Sequence, residues 1–149
     1  MNLTPLMTID VDLVEPVSSG VTPQGEVRVV PFGTGRFEAA DFRGRLLPGG
    51  TDWQRIRSDG VLEIRAHYML ETDQGERIEV ISEGIRVASA EVLERMARGD
   101  DVPADLYYFR TFVRLNTGAE RLAHLNRLLA VSFGRRRKMS VHLDLYAVP

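Results

Sequence analysis

The sequence contains no cysteine among its 149 residues, which excludes disulfide scaffolds and thiolate-held zinc or iron–sulfur centres. A surplus of either charge is also missing: 19 Lys and Arg stand against 21 Asp and Glu, a formal net charge of −2. Nucleic-acid binders normally carry a basic surplus that neutralises phosphates, so no nucleic-acid partner is expected. No apolar run approaches the roughly 18 residues that span a bilayer, and no membrane partner is expected. The segment Met1 to Val14 has neither the basic start nor the apolar core of a signal peptide, because Asp10 and Asp12 interrupt it. A soluble cytoplasmic protein is the expectation. Gly35-Arg36 and Gly49-Gly50 lack the spacing of a dinucleotide fingerprint or a P-loop, so no cofactor is implied.

What is present is apolar side chain at a period of two. The chain is 44% hydrophobic and 27% charged, enough apolar surface to offset chain entropy in one domain over residues 1–149. Ile9, Val11 and Leu13 alternate with Asp10 and Asp12. Val27 and Val29 oppose Arg28. Leu62, Ile64, Ala66, Tyr68 and Leu70 share one face of a segment whose other face carries Glu63, Arg65, His67, Met69 and Glu71. After the turn Asp73-Gln74-Gly75, alternation resumes over Arg77 to Ile85, which predicts a hairpin. Leu106 to Leu115, Leu128 to Gly134 and Ser140 to Val148 complete the strand set. Gly- and Pro-containing turns such as Leu47-Pro48-Gly49-Gly50 and Ser58-Asp59-Gly60 separate the runs. Roughly eight to ten strands at this spacing predict an all-β, mainly antiparallel fold, a closed or nearly closed barrel.

Two short helices are expected between strands. Ser89 can cap Ala90 to Arg98, with Glu91 in the first turn, Arg95 and Arg98 near the last, and Gly99 as the stop. The second begins at Thr117-Gly118-Ala119-Glu120, a capping-box spacing, followed by Leu122 and Leu125.

The segment Leu47-Pro48-Gly49-Gly50-Thr51-Asp52-Trp53 resembles the Leu-Pro-Gly-Gly-x-Asp-Trp core of the uncharacterised "domain of unknown function 3237" family, also called uncharacterised protein family 0311. The resemblance runs in order through Gly33, Phe37, Gly44, Asp59-Gly60, Tyr68 and Gly84-x-Arg86. It continues through Tyr108-Phe109-Arg110-Thr111, Leu125-Asn126-Arg127 and Tyr146-x-Val148. It implies a closed antiparallel, calycin-like barrel and assigns no activity. The chain departs from the family pattern at Ala39, at Arg65 and His67, and at His124. If those positions line the barrel, the ligand of this member differs.

Three constellations could carry chemistry. Asp52 beside Trp53, after a Pro-Gly-Gly turn, could sit at a barrel mouth where an apolar ring makes the carboxyl a general base. The structural alternative is that Trp53 plugs the barrel and Asp52 caps a turn. Tyr108 and Arg110 share a strand face and, with Arg86, could orient an anionic or phenolic ligand. The alternative pairs an arginine with Glu79 or Glu83 across strands. His67, His124 and His142 have no metal-site spacing, although His67 and His142 could approach across the sheet, so no metal is expected. The basic run Gly134 to Lys138 reads as a charged hairpin loop.

These readings converge on a barrel that binds a small, partly apolar molecule. Any reaction would be cofactor-independent acid/base chemistry of lyase, isomerase or cyclase type. Asp52, Tyr108 and Arg110 are the catalytic candidates, and Trp53, Tyr68, Arg86 and His67 the ligand-binding ones. The competing reading is a barrel filled by side chains, serving as a structural module that pairs with a second copy of itself.

Overall fold

The period-two segments become ten strands in the computed structural model, which describes all residues Met1–Pro149. They are β1 (Thr4–Leu13), β2 (Val17–Thr22), β3 (Gly25–Ala39), β4 (Arg43–Leu46) and β5 (Thr51–Ile56). β6 (Leu62–Thr72), β7 (Arg77–Val87), β8 (Tyr108–Thr117), β9 (Leu129–Arg136) and β10 (Ser140–Val148) follow. Neighbours pair antiparallel in the order β1-β10-β9-β8-β7-β6, and β6 then meets β4 and β5 in succession. Both of those pair with the long strand β3. β3 returns to β1, which closes an eight-position barrel, with β2 extending β1 along the first half of β3. Closure removes free edges from the barrel strands, while β2 is bonded on one side only, to β3.

The hairpin expected around Asp73-Gln74-Gly75 is β6–β7, in register from Leu62–Arg86 to Glu71–Arg77. Gly75 adopts φ 80°, a left-handed conformation that a side chain would strain. β3 carries a bulge: Val11 faces Gly35, but Leu13 faces Phe32. Such an insertion reverses which face the following side chains take. Arg28, Val30 and Phe32 therefore point inward before it and Phe37 after it.

The helix α1 (Ala90–Ala97) forms as its cap predicts, with the Ser89 hydroxyl accepting from the Val92 N–H at 3.2 Å. The second expected helix is different. β8 runs on through Thr117, whose hydroxyl donates to the Arg77 carbonyl at 2.6 Å and accepts from the Ala119 N–H at 3.1 Å. A 3-10 helix, Glu120–Arg127, follows without a side-chain cap. Thr117 is committed to stapling β8 to β7, so the capping-box spacing does not function as one.

One end of the barrel is packed solid. Leu70, Ile78, Leu122 and Leu125 are almost fully buried there, with Phe37 and Phe42 tilted against one another at 6.1 Å. The 3-10 helix closes that end by burying Leu122 and Leu125. The opposite end lies under α1, where Arg28, Arg86 and Arg136 stand among apolar side chains. No helix is long and apolar enough to cross a membrane.

Candidate functional site

Asp52 on β5 faces Ala66 on β6, a pairing that turns its carboxyl into the barrel. Gln54 Nε2 donates to its Oδ2 at 2.8 Å, and the Arg65 backbone N–H donates to its Oδ1 at 3.1 Å. Burial raises the Asp52 pKa above its ordinary value, and these two hydrogen bonds, with the charges of Arg86 and Arg28, only partly oppose it. Tyr68, two positions along the same inward face from Ala66, is also buried and meets the Phe32 ring edge-on at 5.3 Å. Burial, followed by the Asp52 charge, pushes the Tyr68 phenol upward, so it stays protonated and able to donate.

Three arginines converge on the same end from three strands. Arg28 on β3 donates to Gln54 Oε1 at 3.0 Å. Arg86 on β7 faces Leu62 across the hairpin. Arg136 on β9 donates to the carbonyls of Arg137 and Lys138. Its backbone N–H donates to the Tyr107 hydroxyl at 2.9 Å. Burial, with the like charges of Arg136 and Arg28, lowers the Arg86 pKa to about 10. Burial and Arg28 lower Arg136 as well. The Nε atoms of Arg28 and Arg86 are buried without a hydrogen-bond partner in the protein. Each such donor costs about 1–3 kcal/mol if nothing accepts from it. Structural side chains rarely accumulate that penalty twice in one place.

These groups border two adjoining spaces. A small interior cavity of about 50 Å³ is lined by Asp52, Tyr68, Ser82, Arg86 and Arg136 among apolar neighbours. Beside it, sharing Gln54, Leu62, Arg86 and Arg136 in its lining, is a wider mouth of about 290 Å³ walled by Val30, Ile56, Leu93 and Met96 and bordered by Arg28. The inner space holds a water or two, while the mouth approaches the size of a small-ligand pocket. Behind the cavity, the Ser82 hydroxyl donates to Thr111 at 2.7 Å and Thr111 bonds Ser132, which satisfies three buried hydroxyls.

Not all of the expected site residues meet there. Asp52, Tyr68 and Arg86 do. Tyr108 and Arg110 do not: on β8 it is Phe109 and Thr111 that are buried inward. The Arg110 guanidinium instead lies outside, 4.1 Å from the Phe133 ring centroid and 5.1 Å from that of Tyr108. Trp53 is 54% exposed and neither plugs the barrel nor flanks the cavity. Asp52 caps no turn. His67 points outward and pairs with Glu79 at 2.8 Å, whereas His142 pairs with Asp10 and Asp144, so the two histidines do not approach one another. Arg65 is likewise outside, and His124 is exposed on the 3-10 helix.

A larger concavity of about 680 Å³ lies on that outer face between Trp53, Arg65, His67 and Glu83. It is shallow, and its charged groups already have partners, Arg65 with Glu83 at 3.8 Å and His67 with Glu79. The smaller walled cavity is therefore the candidate site, because it alone combines enclosure with buried ionisable groups lacking partners.

Arg28 and Arg136 were not among the expected residues. Alternation sets Val27 and Val29 opposite Arg28 without fixing which face is inward, and the pairing of Arg28 with Gln54 and of Val30 with Asp52 turns Arg28 inward. Arg136 looked like part of a loop, yet β9 extends through it. The available signal was the shared parity of Arg28, Val30, Asp52 and Gln54, legible only once β3 is paired with β5.

The family model "Protein of unknown function (DUF3237)" matches residues 1–148. A UPF0311 protein of Bradyrhizobium diazoefficiens is 33% identical over 143 residues, 96% of this chain and 93% of that protein. The crystal structure of a conserved protein of unknown function from Rhodopseudomonas palustris aligns with TM-score 0.95 at 31% identity, covering 99% of this chain and 97% of that one. An enzyme from Penicillium herquei aligns with TM-score 0.70 over 97% of this chain and 93% of that one, and at 17% identity the likeness is one of fold alone. With matches across nearly its whole length in sequence and in backbone, this chain belongs to the DUF3237 family of proteins of unknown function.

Proposed function

We propose that the barrel binds a small, partly apolar molecule in the cavity beneath α1 and moves a proton on it, with Asp52 as the base. The observation that carries this reading is a carboxyl 8% exposed in the inner cavity, which shares Gln54, Arg86 and Arg136 with the mouth, its pKa raised by burial. A carboxyl poised above its ordinary range is a better proton acceptor than a solvated one. The proton would pass from a ligand O–H or C–H to Asp52, leaving its electron pair on the ligand beside Arg86 and the protonated Tyr68. Return of the proton to a different ligand atom completes an isomerisation. Where the electron pair instead expels a group from the ligand, that group takes the proton in a lyase step. Where it attacks a double bond of the same ligand, the far atom of that bond takes the proton in a cyclase step. Tyr68 and Gln54 orient ligand and base, and the walls of Val30, Ile56, Leu93 and Met96 accept the apolar part.

The test is a thermal-shift screen of small aromatic acids and phenols, repeated with Ala97→Trp to crowd the mouth. Binding hits are then followed by NMR for ligand proton exchange in D2O. Wild type should be stabilised by binders and Ala97→Trp much less so. Asp52→Asn should bind but lose the exchange. If no probe stabilises the wild type, or if exchange survives Asp52→Asn, the reading fails.

A second reading has its own observation. Phe112 (76% exposed), Leu129 (59%) and Tyr108 (51%) lie on the adjoining outer faces of β8 and β9. An apolar surface of this kind fits a second copy of the chain. Analytical ultracentrifugation of wild type and Phe112→Glu tests it: a dimer that the substitution dissociates supports it, and a monomeric wild type removes it.

A further inference from the structure

We infer that the ligand of this cavity carries an anionic group, a carboxylate or a phosphate, seated on the guanidiniums of Arg28, Arg86 and Arg136. The inference rests on the small-molecule reading of the same cavity and adds its chemical class.

Outside the barrel, arginines are paired as a rule: Arg45, Arg77, Arg121 and Arg135 each meet a carboxylate. The three inward arginines form no such pair, although Arg86 and Arg136 are largely buried and the charge of Arg28 stands close enough to lower both. Asp52 is the one carboxylate among them, and its oxygens are already taken by Gln54 and the Arg65 N–H. Two Nε donors have no acceptor in the protein. Like charges gathered in a partly desolvated space repel, so the arrangement is favourable when a counter-charge enters it. A planar guanidinium donates through a fork that matches two oxygens of a carboxylate or phosphate. Because β3, β7 and β9 contribute one arginine each, the forks approach from different walls and can share one oxyanion. The apolar walls below α1 leave room for a hydrocarbon or aromatic body beside it. The chemistry specified is therefore a small organic anion, not a bare inorganic ion.

Isothermal titration at fixed ionic strength, with 4-phenylbutanoate, its primary amide and phenyl phosphate as probes, tests this. The amide keeps shape and apolar body while removing the charge. At least one of the two anions should bind roughly tenfold or more tightly than the amide. Whichever anion binds better identifies the headgroup as carboxylate or phosphate. Arg86→Met and Arg136→Met, checked for folding by circular dichroism, should erase the preference for the anion while the amide still binds. Equal affinity of anions and amide for the wild type overturns the anionic class and leaves the small-molecule reading standing. Failure of all three probes to bind overturns both. The wild-type comparison decides the matter even if neither variant folds.

Discussion

Gln54 Nε2 donates a hydrogen bond to Asp52 Oδ2 at 2.8 Å, the two side chains lying two residues apart on the inward face of β5. The same amide accepts from Arg28 at 3.0 Å, so one neutral residue keeps an acid and a base from forming a direct ion pair. Replacing Gln54 by Leu leaves an acceptor on Asp52 and a donor on Arg28 unpaired. The expected loss of stability is about 1–3 kcal/mol, read from urea denaturation. The Asp52 pKa should also rise further, because the lost hydrogen bond was lowering it. Carboxyl carbon NMR titration checks the shift, and an Asp52 pKa unmoved in Gln54→Leu would contradict the account.

Asp52 ties stability to pH with an unusual sign for an aspartate. Its pKa is raised in the folded protein, so the native state holds that proton more readily than the unfolded chain does. Its contribution favours folding at low pH and is lost as pH rises through the raised value. Asp52→Asn removes this dependence. The melting temperature of Asp52→Asn relative to wild type should therefore become more favourable from pH 4 to pH 7. A difference that is flat across that interval would show the carboxyl to be unperturbed.

His142 lies between Asp10, 2.8 Å from its Nδ1, and Asp144, 2.9 Å from its Nε2. Partial burial lowers its pKa, but the two carboxylate hydrogen bonds outweigh that and the net shift is upward from 6.5. A histidine raised in the folded state contributes stability that is fully present below its unfolded value and is lost as pH climbs through the folded one. Wild type should thus be more stable than His142→Gln at pH 6, and the gap should close in mildly alkaline solution. Thermal melts at the two pH values measure it.

Gly84 on β7 sits where a Cβ would run into the Arg110 carbonyl and the Thr111 backbone of β8. The neighbouring atoms are backbone and cannot rotate away, so Gly84→Ala must separate paired strands. The expected loss is about 1–3 kcal/mol or more. Gly118→Ala is the control, since nothing lies within 4 Å of its Cβ position. It should stay within about 0.5 kcal/mol of wild type. Urea midpoints of the two variants make the comparison.

Arg110→Ala separates outside from inside. The Arg110 guanidinium stacks over Phe133 on the outer face. Its loss should lower stability by about 0.5–1 kcal/mol through the missing cation–π contact, measured by urea denaturation. Any ligand found for the cavity should bind this variant with unchanged affinity, and a weakened ligand would place Arg110 in the site after all.

The strands were legible because a barrel presents a side chain alternately to its interior and to solvent. The run Leu62 to Leu70 displays that period without interruption, and the Ser89 cap and Gly99 stop mark α1 as plainly. The charged part of the site was half visible. Asp52 and Tyr68 stood beside turn chemistry and apolar residues, whereas Arg28 and Arg136 looked like the polar members of ordinary strand and loop segments. Assigning charge to the outside is the rule that succeeds along most of this chain, and it fails where inward charge is concentrated at one end.

By itself, then, the sequence determined the strand set, the antiparallel barrel and the absence of thiol chemistry, because these follow from local periodicity, turn residues and composition. The tertiary structure decided which face of each strand is inward. The bulge in β3 and the pairing of β3 with β5 bring Arg28 to Asp52, and the length of β9 brings Arg136 to Arg86, while Tyr108, Arg110, Trp53 and His67 turn to the outside. Registers of this kind depend on contacts between residues far apart in the chain, and a one-residue step in any of them exchanges the two faces.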